Sequence, residues 1–66
     1  MAENKVIIIK VEASAFKKTD GDQVIKGELL GYYNGDPVES PFNATVESVT
    51  FDSEEHELNV VLVERA

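Results

Sequence analysis

Turn-forming residues punctuate this chain so often that no long element fits between them. Thr19-Asp20-Gly21-Asp22, Lys26-Gly27, Asn34-Gly35-Asp36, Pro41-Phe42-Asn43 and Asp52-Ser53-Glu54-Glu55 each break the pattern. Gly, Asp-Gly and Asn-Gly supply the positive φ angles that tight turns need, and Pro stops a ladder. The segments between them alternate rather than repeat at helical spacing. Ile7, Ile9 and Val11 fall on one face of a strand from Lys5 to Glu12, and Val6 and Ile8 fall on the other. Leu58, Val60 and Leu62 share one face of a last strand ending at Glu64, with Val61 and Val63 opposite. Glu28–Tyr33, Val38–Ser40 and Thr45–Phe51 read as further strands, and Val24-Ile25 precedes the turn at Lys26-Gly27. Val46 and Val49 are three apart, so both point inward only if a bulge lies between them. Ala13–Lys18 is too short for an independent helix. The expectation is an all-β domain, 1–66, of six to seven short strands closed as a barrel or sandwich.

Charge and composition narrow the function. The chain carries 6 Lys plus Arg against 13 Asp plus Glu, for a net charge of −7. That balance argues against nucleic acid and against anionic membrane surfaces. The apolar run Val6–Ile9 stops at Lys10, far short of a membrane span, and Met1–Lys5 does not read as a signal peptide. A cytoplasmic setting is expected. Cysteine is absent, which removes disulfides and thiolate metal sites. With one His and no Cys, the nucleophile–base pairs of covalent catalysis are hard to assemble, so an enzyme is not expected.

Two stretches resemble the biotinyl/lipoyl-like family of barrel-sandwich hybrids. Gly21-Asp22-Gln23-Val24-Ile25-Lys26-Gly27-Glu28-Leu29-Leu30 is similar to its G-D-x-V-x-x-G-x-x-L signature. Val38–Val49, with Ser40-Pro41 and Val46, is similar to its second motif, in which a strand ends at Pro and the chain turns back into the core. Together the two motifs span just under half of the chain. The resemblance implies a small barrel-sandwich hybrid with structural turns at Gly21, Asp22, Gly27, Asn34, Gly35 and Pro41. Carrier members present a modified Lys at a hairpin tip. The matching tip here is Asn34-Gly35-Asp36, and no Lys follows Lys26. Ala44 stands where the family prefers Gly, and Asp52–Leu58 replaces the second copy of the signature. The expectation is therefore a non-catalytic scaffold or protein-interaction domain with no covalent cofactor. A protein partner is expected, with a homodimer as one form of it.

Two alternatives stay open on the sequence. One is a stand-alone carrier modified at an atypical lysine, with Lys26 a better candidate than Lys17 or Lys18. The other is a metal-binding accessory domain using His56 with Asp52, Glu54, Glu55 and Glu57, against the plainer reading of a solvated acidic turn. Asp20 and Asp22 flank Gly21 without the spacing of a calcium loop, so they read as a turn. Tyr32, Tyr33 and Phe42 are candidates for a partner surface, against ordinary packing in the wall. The outer valines of the last strand and Ile8 of the first suggest that the terminal strands are neighbours with a shared apolar outer stripe.

Overall fold

A computed structural model describes residues 5–14 and 16–65. Ala15, in the expected Ala13–Lys18 connection, and the N-terminal Met1-Ala2-Glu3-Asn4 lie outside the described residues. Six strands are present among the described residues, β1 (Val6–Glu12), β2 (Gln23–Val24), β3 (Leu29–Tyr33), β4 (Asp36–Glu39), β5 (Ala44–Asp52) and β6 (Glu57–Glu64). No helix occurs among them. Four strands form one antiparallel sheet in the order β1-β6-β5-β2, which curls into half a barrel. The other two form a hairpin, β3-β4.

The terminal strands are neighbours, as the apolar stripes require. Val6 pairs with Val63, Ile8 with Val61 and Val11 with Leu58. The bulge between Val46 and Val49 is also present, because the β5–β6 register shifts between Val46 and Ser48. Glu47 is the extra residue, and it turns Val49 back to face Val60. The core is Val11, Val24, Leu30, Ala44, Val46, Val60 and Leu62. Ile7, Ile9, Phe16, Val38, Phe42, Val49 and Leu58 pack around it half-buried.

The hairpin loop is shorter than its three-residue turn signal suggested. Tyr33 pairs with Asp36, which leaves only Asn34 and Gly35 between the strands. Their φ angles are 53° and 82°, the double left-handed geometry that suits a twisted two-residue hairpin. Asp36 and Pro37 belong to β4 rather than to the turn, and Pro37 opposes Tyr32. Proline is tolerated there because β4 is an edge. Ser40, expected on that strand, instead begins the bend through Pro41 and Phe42, and its buried hydroxyl donates to the Phe42 carbonyl.

Backbone hydrogen bonds join the glycine turns to the later strands. The Gly21 N–H donates to the Val46 carbonyl at 2.8 Å, and the Val46 N–H donates to the Asp22 carbonyl at 2.8 Å. The Gly27 N–H donates to the Ser40 carbonyl at 2.8 Å, and the Ser40 N–H donates to the Glu28 carbonyl at 3.0 Å. Gly21 and Gly27 have φ of 90° and 84°, so neither tolerates a β-carbon without strain.

A candidate site in the cleft at the β1–β6 end

At the end of β1 and the start of β6 the sheet opens into a cleft of about 640 Å³. Three pieces of chain wall it. The end of β1 brings Glu12, Ala13 and Ser14; the hairpin brings Tyr33 and Asn34; the β5–β6 connection brings Phe51, Glu55, His56 and Glu57. The connection is a tight polar turn. The Asp52 carboxylate accepts the Glu54 N–H at 3.0 Å and the Glu55 N–H at 3.4 Å, which closes an Asx-type turn. His56 then takes a left-handed φ of 54°, and its carbonyl accepts the Ala13 N–H at 3.3 Å. Its ring meets Phe51 edge-on, with centroids 6.3 Å apart. Phe51 lies on the core-facing side of β5 opposite Leu58, yet it is 53% exposed.

Glu57 is the unusual member. It is only 7% exposed, and no hydrogen bond reaches its buried Oε1. Lys10 Nζ stands 3.8 Å from that oxygen, beyond hydrogen-bond length. Glu57 also acts on Tyr33. The phenol is pushed above its ordinary pKa, first because the Glu57 side chain favours the protonated phenol as a hydrogen-bond acceptor, and then by the carboxylate charge and by burial. Lys10 opposes the shift.

The sequence-predicted candidates fall in different places. His56, Glu55 and Glu57 line the cleft, whereas the Asp52 carboxylate is used inside the turn. Among the described residues, no three of His, Asp and Glu converge as metal ligands. Tyr32 and Tyr33 alternate across β3: Tyr32 is 43% exposed, while Tyr33 enters the cleft. Phe42 packs against the core. Asp22 closes its own turn, accepting the Thr19 N–H through Oδ2 at 2.9 Å. Lys26 sits at the turn before Gly27, and its N–H donates to Asn43 Oδ1 at 2.8 Å. Lys18 pairs with Glu28 at 3.0 Å.

Glu12 and Phe51 were not legible as cleft residues. The first read as the polar end of one strand and the second as the end of another, and only the tertiary structure places them together. No helix among the described residues is long and apolar enough to cross a membrane. Compared with protein-family models, curated proteins and solved structures, the chain matches none.

Proposed function

We propose that this chain is a non-catalytic β scaffold that works by protein–protein contact, without a covalent prosthetic group. The observation that carries this reading is the outer face of β1 and β6. Val6 and Ile8 are 60% and 68% exposed, and they stand beside Val63 and Val61 across the ladder. Among the described residues β1 is also an edge of the four-stranded sheet, paired on one side by β6 and by no strand on the other. An exposed apolar edge of this kind favours strand addition.

A second copy is the occupant that the strand itself suits. Antiparallel pairing of two β1 strands about Ile8 sets Ile8 against Ile8 and Val6 against Lys10, whose aliphatic stem can cover the valine. Two four-stranded sheets then continue as one. The net charge of −7 opposes the association, and salt screens that repulsion. A cytoplasmic setting goes with this reading, since the fold is held without cysteine. The barrel-sandwich-hybrid architecture does too. It is supported by the mutual hydrogen bonds of the two motif stretches, Gly21 with Val46 and Gly27 with Ser40.

Sedimentation equilibrium at low and high salt tests the proposal. The dimer fraction should rise with ionic strength, and Ile8→Glu or Val61→Glu should return the protein to monomer. A strict monomer in both salts at high concentration overturns self-association.

A further inference from the structure

We propose that the hairpin tip modifies itself: the backbone nitrogen of Gly35 deamidates the Asn34 side chain. A peptide nitrogen can attack the side-chain carbonyl of the residue before it, and the approach is easiest where its own residue has no β-carbon. Two places in the chain offer an acidic or amide side chain before a glycine, Asp20-Gly21 and Asn34-Gly35. The fold treats them oppositely. The Gly21 N–H is engaged, donating to the Val46 carbonyl at 2.8 Å. Gly35 lies in the two-residue loop between Tyr33 and Asp36, and among the described residues no hydrogen bond uses its N–H. Asn34 and Gly35 are both exposed, and apart from chain neighbours nothing lies within 4 Å of a β-carbon built on Gly35. The tip can therefore open and bring the nitrogen to Asn34 Cγ without disturbing packing. The other described asparagines lack these conditions. Asn43 Oδ1 is held by the Lys26 N–H at 2.8 Å, and the buried Ala44 follows it. Asn59 lies within β6 and precedes the fully buried Val60.

The chemistry needs only water as co-reactant. The Gly35 nitrogen gives up its proton and bonds to Asn34 Cγ; the Cγ–Nδ2 bond breaks, and ammonia leaves with that proton. Water then opens the five-membered imide. Opening at Cγ leaves an aspartate. Opening at the Asn34 backbone carbonyl carbon leaves an isoaspartate, in which the chain runs through Cβ and Cγ. An amide is exchanged for an acid, with one water consumed and one ammonia released. Either product adds a negative charge to the −7 of the chain. Isoaspartate also lengthens the backbone by one atom in a loop where only two residues join Tyr33 to Asp36. The twisted two-residue turn cannot hold that extra atom, so the product loosens the hairpin irreversibly. The tip lies outside the β1–β6 face on which self-association rests, so either proposal can fail alone.

Incubation of the full chain in mildly alkaline buffer, followed by intact mass and peptide mapping, tests the proposal. The segment holding Asn34 should gain the mass of an amide-to-acid exchange, faster as pH rises, while those holding Asn43 and Asn59 stay unchanged. Isoaspartyl methyltransferase should label the same segment. Gly35→Ala should slow the gain about tenfold or more, because its β-carbon hinders the attack. If that variant opens the hairpin, Asn34→Gly keeps a left-handed turn and should show no gain there. The same incubation in urea should expose Asp20 as well, giving isoaspartate before Gly21 that the folded chain does not form. No gain at Asn34 in the folded chain, an equal gain at Asn43 or Asn59, or a gain that Gly35→Ala leaves unchanged overturns it.

Discussion

A β-carbon built on Gly31 would stand 3.3 Å from Cβ of Val11, tighter than ordinary side-chain contact. This closeness is how the hairpin closes over the sheet, because Val11 is fully buried and Gly31 lies directly on it. Val11 Cβ is fixed by the β1 backbone and cannot swing aside. Gly31→Ala should therefore overpack the contact and cost about 1–3 kcal/mol. Urea unfolding measures it. A neutral or stabilised variant would mean that the hairpin shifts freely on the sheet.

Gly21 and Gly27 are sensitive for a different reason. Nothing lies within 4 Å of a β-carbon at either position, but both have positive φ. Replacement by Ala should cost about 1 kcal/mol at each site through backbone strain alone. Gly21→Asn should cost less than Gly21→Ala, since Asn tolerates the left-handed region. Equal losses for Asn and Ala would point to something other than φ.

Arg65 clasps the far end of the sheet. Its Nη2 donates to the Val24 carbonyl at 3.0 Å, and its Nε donates to the Ala44 carbonyl at 3.2 Å. Its own N–H donates to the Asn43 carbonyl at 2.8 Å. Arg65→Ala should lower stability by about 1–3 kcal/mol, and Arg65→Lys should recover little because one ammonium cannot reproduce the fork. Hydrogen exchange should speed most at the β2–β5 pairing. Full rescue by Lys would show that charge, not geometry, matters here.

Acid should weaken the second turn. The Glu28 carboxylate accepts the Ile25 N–H at 3.1 Å and pairs with Lys18. The backbone hydrogen bond first, and Lys18 second, hold its pKa below the ordinary glutamate value. A depressed folded-state pKa contributes stability above the unfolded value and loses it as pH falls through the folded one. Glu28→Gln should therefore melt below the parent at pH 7, and the gap should narrow below pH about 4.5 as the parent carboxylate takes up its proton. Thermal melts across pH 7 to 3 follow it. A gap constant with pH would remove Glu28 from the acid response.

The hairpin tip should accept no acyl group. Asn34 and Gly35 form the loop and offer no amine. Incubation with a biotin or lipoate ligase should leave the intact mass unchanged. A stoichiometric adduct on Lys26 or another lysine would reinstate the carrier reading.

Local chemistry in the sequence determined the strand periods, the positive-φ turns at Gly21, Gly27 and Asn34-Gly35, and the bulge that Val46 and Val49 require. Each of these follows from side-chain alternation or from the dihedral freedom of a few adjacent residues. The neighbouring of β1 and β6 was legible too, since their two-sided apolar patterns needed a common outer stripe. Only the tertiary structure decided the rest. Gly31 is one residue of a strand until the hairpin lies on Val11, and nothing in the local sequence shows that Arg65 reaches carbonyls 41 and 21 residues away. Glu57 read as part of an acidic turn, and its burial depends on what folds around it. Periodicity assigns a residue to a face of its own strand. Which distant segment covers that face, and which end of the sheet stays open as a cleft, is set by long-range packing that no local pattern encodes.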